Sequence, residues 1–133
     1  MILDIIPTFC GNNQIPFEKK EFRGESYHVI EINETLKIEI SAIEGGGAFF
    51  RTNLALILFS DKEKVYRQLL ESNFLYQSTL GCVLGIDPEE KYITLGMYVY
   101  TKVNLSSLWD NLEHFCNAVE YWKHNLEKKH DFV

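Results

Sequence analysis

The chain has no cluster of basic residues. Its 13 lysines and arginines are scattered among 19 acidic residues, and the net charge is −6. Nucleic-acid binding draws on Lys and Arg gathered on one surface, where they displace the counterions of the phosphates. Direct contact with nucleic acid is therefore not expected. Long apolar runs are missing as well. No stretch approaches the ~18 apolar residues of a membrane-spanning helix. The opening "MILDIIPTFCG" has no basic start and is interrupted by Asp4 and Pro7, so it does not read as a secretion signal. The expected setting is the cytoplasm, with no membrane partner. Three cysteines, Cys10, Cys82 and Cys116, are too few and of odd number for a disulfide framework, which suits a reducing compartment.

Chemistry-bearing patterns are equally scarce. Gly45–Gly47 lacks the spacing and the lysine of a phosphate-binding loop, and reads as a hairpin turn that needs glycine's backbone freedom. His114 and Cys116 lie two apart on an expected helix, so their side chains diverge by roughly 200° and do not converge on one metal. Cys82 reads as a small buried apolar group. No catalytic set, no metal and no cofactor are expected, and the chain does not read as an enzyme.

What the sequence does contain is periodicity. At 133 residues and 15.5 kDa it is expected to form one domain, residues 1–133, around one core. Residues 1–26 are punctuated by Pro7, Gly11, Pro16 and Gly24, and are expected to hold no more than a short helical turn. From Tyr27 the pattern is extended. "YHVIEIN" places Ile30 and Ile32 on one face, and "LKIEI" does the same with Leu36, Ile38 and Ile40. The link "NET" between them suits a tight hairpin. "FFRTNLALILF", Phe49–Phe59, reads as a long strand.

"SDKE", Ser60–Glu63, is a capping-box pattern that opens a helix expected to run from Asp61 to Tyr76. "TLGCVLGI" and "KYITLGMYVY" read as strands joined by a turn at Asp87-Pro88. A second capping pattern, Ser107 with Asp110, precedes the clearest amphipathic stripe: Leu108, Leu112, Phe115, Val119, Trp122 and Leu126. The expected fold class is α+β. A two-layer antiparallel sheet with helices should follow the order (α)-β-β-β-α-β-β-α.

One stretch exceeds what a helix needs for its own domain. "LLESNFLYQ", Leu69–Gln77, carries two apolar stripes: Leu69 with Tyr76 on one side, and Leu70 with Phe74 on another. Phe49, Phe59, Phe74, Tyr76, Tyr98 and Tyr100 together also exceed what one sheet face and two helices cover. An apolar excess of this kind marks an interface.

The order of motifs in the C-terminal half resembles the specialised (class I) type III secretion chaperones, the Tir-chaperone family. A "LLE-x-N" helix end is matched by Leu69, Leu70, Glu71 and Asn73. The acidic "D-P" turn after a Gly-containing strand is matched by Gly85, Asp87 and Pro88, and the close of the last helix by Trp122 and Lys123. The resemblance spans residues 36–128 and is strongest from Leu69 onward. Segment 1–26 departs from it, because family members open with an amphipathic helix that helps build the cargo groove. A chlamydial member working in a mixed chaperone pair is one reading of that departure.

The resemblance implies an ATP-independent cytosolic dimer that keeps a segment of a secreted effector or secretion regulator extended and export-competent. It implies that the helix ending in "LLE-x-N" and the strand after it contact a second chaperone subunit, identical or related. Leu69, Leu70, Phe74, Leu75, Tyr76 and Leu84 would build that contact. A cargo segment can pair with a sheet edge and place alternate side chains in surface pockets. Ile30, Ile32, Leu36, Ile38 and Ile40 are the candidates for receiving it. Periodicity does not choose the sheet face, so a core role stays open for the same side chains. An alternative, as a second role, is binding of a transcription component: an activator, or a sigma factor and its RNA polymerase, whose basic and apolar surfaces suit an acidic partner.

Overall fold

Ile2, Ile6, Phe9 and Cys10 recur on the period of a helix, and in the computed structural model they form the buried stripe of α1, Ile2–Asn13. The structure describes residues 2–57, 62–74 and 81–128. Helix α1 corrects the expectation that Pro7 and Gly11 hold this segment to a single turn. Pro7 removes one helical hydrogen bond, the one residue 7 would donate to the carbonyl of Leu3. Burial of four side chains outweighs that loss, at about 1.5–3 kcal/mol for each large apolar group. The helix stops at Gln14, whose φ of 55° lies in the left-handed region, and the Ile15 N–H donates back to the Cys10 carbonyl at 2.9 Å.

The remaining elements are β1 (Phe17–Phe22), β2 (Glu25–Asn33), β3 (Leu36–Ala42), β4 (Ala48–Leu56), α2 (Lys62–Asn73), β5 (Val83–Ile86), β6 (Tyr92–Val99) and α3 (Leu105–Lys128). Their six strands form one sheet in the order β1-β2-β3-β4-β6-β5. The pairs β1–β2, β2–β3, β3–β4 and β5–β6 are antiparallel. The α+β class is as expected, with β1 as an additional strand. Nothing in "FEKKEF" alternates in the way a half-buried strand does, and all six residues are exposed. The strand is held by its hairpin instead. Arg23 and Gly24 both have positive φ, 53° and 81°, as the two-residue turn that matches strand twist requires.

The chain divides into two compact units, Met1–Thr52 with Tyr98–Glu113, and Asn53–Met97 with His114–Val133. In the first unit α1 packs on β2 and β3. The face it covers consists of Ile30, Ile38 and Ile40 with Leu36 beside them, and Ala48 and Phe50 of β4 are buried too. A bulge between Glu31 and Asn33 breaks the register and leaves Ile32 half-buried. In the turn that follows, Asn33 Oδ1 accepts from both the N–H and the hydroxyl of Thr35, each at 2.9 Å.

The glycine run forms the β3–β4 connection, as expected. Gly45 and Gly46 take φ of 82° and 86°. Gly47 is needed for a different reason: a Cβ there would stand 2.0 Å from the Val99 carbonyl oxygen. In the same unit the cap of α3 is Asn104, three residues before the expected Ser107. Asn104 Oδ1 accepts the Ser107 N–H, and Ser107 Oγ accepts the Asn104 N–H, both at 2.9 Å. This reciprocal pair is a capping box with Ser107 as its inner member.

The second unit buries Val65 and Leu69 of α2, Cys82 and Leu84, Ile93, Leu95 and Met97 of β6, and Phe115, Val119, Trp122 and Leu126 of α3. Its β5–β6 turn is built on Asp87. The Asp87 carboxylate accepts from the N–H groups of Lys91 and Tyr92 at 2.7 and 2.9 Å. The expected Ser60–Glu63 cap and Phe59 involve residues outside the described ones. Helix α2 spans Lys62–Asn73, and the expected ends at Asp61 and Tyr76 lie outside the described residues.

Candidate functional site

The chain's open apolar surface lies on elements whose other faces are already packed. In the second unit, α2 turns Val65 and Leu69 inward. The next residues on its other side, Leu70 and Phe74, are 71% and 73% exposed. Two large apolar side chains four residues apart on one helical side form a ridge suited to a partner. The end of α2 is locked in place by Asn73. Its Nδ2 donates to the Leu84 carbonyl and its Oδ1 accepts the Leu84 N–H, both at 2.8 Å. The side-chain amide thus acts as one rung of a β-ladder along the β5 edge. Further along α2, the Tyr66 hydroxyl donates to Glu90 Oε1 at 2.6 Å, and that bond raises the phenol above its ordinary pKa.

The residues expected to contact a second subunit are therefore sorted by the fold. Leu70 and Phe74 are open. Leu69 and Leu84 are core residues of the second unit, because the α2 stripe containing Leu69 is its buried one. Leu75 and Tyr76 lie outside the described residues.

In the first unit the open surface is a sheet edge and an aromatic row. β1 ends the sheet, and Phe17 and Phe22 at its two ends are both exposed, Phe22 by 55%. The Glu31 N–H donates to the Pro16 carbonyl at 2.9 Å, which fixes the ladder alternation. Glu18, Lys20 and Phe22 then point their main-chain groups at β2, while those of Phe17, Lys19 and Glu21 point to the free edge. Phe49 and Tyr98 pack with their rings tilted by 34° and centroids 4.5 Å apart, and Tyr100, 76% exposed, stacks on Tyr98 at 5.7 Å. Beside Phe49, the Arg51 guanidinium is paired with the Glu39 carboxylate. At the start of α3, the half-exposed Trp109 meets the Phe9 ring edge-on at 5.5 Å.

The candidates for receiving cargo are corrected here. Ile30, Leu36, Ile38 and Ile40 are buried beneath α1, and Ile32 is half-buried at the bulge. Alternation marks a face without saying what covers it. Alternation does not reveal the edge strand β1, because neither of its faces is buried. A usable signal was present in the two phenylalanines that bracket four charged residues.

The three cysteines are not activated. Burial pushes the Cys82 thiol up to about 11, and those of Cys10 and Cys116 are raised as well, so none is poised as a thiolate nucleophile. Among the described residues no group of His, Cys, Asp and Glu could hold a metal ion. No helix of the described residues is long and apolar enough to cross a membrane.

Known proteins share this architecture. A chain of the crystal structure of the ExsC–ExsE complex superposes with a TM-score of 0.69 at 14% identity, covering 92% of this chain and 91% of that one. A chain of the heterodimeric ExoU–SpcU complex from the type III secretion system of Pseudomonas aeruginosa gives 0.53 at 16% identity, with 90% and 93% covered. At these identities the likeness shows the fold. No curated protein matches the sequence. The model of the Tir chaperone protein (CesT) family matches residues 13–123, from the end of α1 to the last turns of α3. The chain belongs to the Tir chaperone protein (CesT) family, and is a binding protein of the type III secretion chaperone kind without catalytic activity.

Proposed function

We propose that the protein is a cytoplasmic type III secretion chaperone that binds an extended segment of a secreted effector or secretion regulator as a homo- or heterodimer. The observation that carries this reading is β1, a sheet edge with open main-chain groups and an exposed phenylalanine at each end. A cargo strand added there gains backbone hydrogen bonds, and the two rings give it apolar contact. The family and the partner-bound complexes that share the fold support the same reading.

The test uses proline. Lys19 directs its N–H to the free edge, so Lys19→Pro removes a donor that only an added strand would use. Cargo recovered from the native host by pull-down and identified by mass spectrometry supplies the segment. Its affinity for Lys19→Pro should fall about tenfold, the worth of one well-made hydrogen bond. Lys20→Pro, which breaks the β1–β2 ladder, serves as the comparison. Equal binding by Lys19→Pro and the unaltered protein would remove strand addition as the mode of binding.

The second subunit is assigned to the α2 ridge. An obligate interface buries about 2,000 Å2 or more and is apolar at its centre. Leu70→Glu and Phe74→Glu place a charge there without disturbing the core, since both side chains are exposed in the single chain. Sedimentation should show the dimer, by itself or co-expressed with its partner chaperone, reduced to single subunits by either substitution. An unchanged mass in both variants rejects the ridge.

A further inference from the structure

His28 stands in β2 with 5% of its surface exposed, and its Nδ1 has no hydrogen-bond partner. It lies directly opposite Lys19 of β1 on one side and Ile40 of β3 on the other. The Phe17 ring of β1 tilts against the imidazole with centroids 5.6 Å apart. β1 has little else to hold its side chains, since all six are exposed. We infer that His28 is a latch for β1: its neutral ring holds the edge strand on the sheet, and a proton on the ring lets the strand go.

The charges around the ring set the direction. From β1, Lys19 is the directly opposed group, and Glu21 is the diagonal neighbour one pair further along, exposed to solvent. From β3 the inward neighbours are Ile38 and Ile40, while Lys37 and Glu39 project to the other face. From α1 the buried stripe offers Cys10, whose thiol burial keeps neutral; Asp4 is on the exposed side of that helix. The nearest charge is thus a like charge for an imidazolium, in a site that offers its Nδ1 no acceptor.

Burial pushes the imidazole below its ordinary range, and Lys19 adds to the shift. The unfolded strand takes up the proton first, near the ordinary value of 6.5. Stability from neutral His28 is therefore complete above that pH and is lost as the pH falls below it. The latch concerns β1 itself. Its effect on a bound partner rests on the strand-addition reading.

The test is hydrogen exchange by NMR on the isolated protein at pH 7.5 and 5.5, with rates corrected for the intrinsic pH dependence. The amides of Glu18 and Lys20, which face β2, should lose protection by up to about tenfold at the lower pH, the ceiling that one proton bound near 6.5 in the opened strand sets, while those of β3 hold theirs. His28→Phe, which keeps a flat ring and cannot be protonated, should show equal protection at both pH values. His28→Gln serves the same purpose if the larger ring disturbs folding. Unchanged protection of β1 in the native protein at pH 5.5 overturns the inference, and so does a pH response that survives both substitutions. Loss of β1 protection with undiminished cargo affinity at pH 5.5 upholds the latch and counts against strand addition at β1.

Discussion

Gly47→Ala is expected to destabilise the protein by about 3 kcal/mol, lowering its thermal midpoint by about 10 °C. The added Cβ would meet the Val99 carbonyl oxygen at 2.0 Å, and that oxygen belongs to the backbone of β6, not to the far end of a flexible side chain. Relief requires the start of β4 or the end of β6 to move. Gly47 has φ of −81°, so the demand is for space and not for an unusual conformation. Gly45→Ala is the internal comparison. Nothing lies within 4 Å of its added Cβ, but its φ of 82° disfavours any side chain, at about 1 kcal/mol. Equal losses at the two positions, measured by thermal and urea unfolding, would defeat the close-approach argument. The displacement would also shift Phe49 and Tyr98, whose rings are in contact across these same strands.

Asn73→Ala should cost a similar amount, about 3 kcal/mol, because it strands two main-chain groups at once. Leu84 is buried, and both its N–H and its carbonyl are bonded to the Asn73 amide. Asn73→Asp separates the two bonds. The carboxylate still accepts the N–H but meets the Leu84 carbonyl oxygen with a second acceptor, so it should rescue little or nothing. An aspartate variant as stable as the native protein would show that the donor half of the pair is dispensable. The loss should extend to assembly, since the ridge of Leu70 and Phe74 sits on the turn that Asn73 fixes. The asparagine of the "LLE-x-N" motif is thereby given a physical role: it joins the end of a helix to a strand edge.

Long, strongly periodic segments were legible. The six-residue stripe of α3 is buried throughout, and β2, β3 and the Asp87-Pro88 turn stand where alternation and turn chemistry placed them. In α1 the two signals conflict: Pro7 and Gly11 argue against a helix, the spacing of Ile2, Ile6, Phe9 and Cys10 argues for one, and their burial decides. The start of α3 is ambiguous in the sequence because Asn104 and Ser107 are both good capping residues, and only their mutual hydrogen bonds show which is outermost. For the binding surfaces, the surplus of apolar residues was legible but its location was less so. Leu70 and Phe74 separated correctly from Leu69 on the helical period. The isoleucines of β2 and β3 were indistinguishable from a docking face until α1 was seen to cover them. Tyr98 and Tyr100 belonged to the surplus from the outset, and their exposure is consistent with it.

The placement of the indoles has a practical consequence. The chain has two tryptophans, and they fall one in each compact unit: Trp109, more than half exposed beside Phe9, and Trp122, buried. A water-exposed indole emits to the red and is reached by soluble quenchers, whereas an enclosed one emits to the blue and is shielded from them. Intrinsic fluorescence therefore reads the two halves of the molecule in separate channels, without a label. A ligand settling near α1 would be seen in the quenchable component, and loosening of the second unit in a red shift of the protected one.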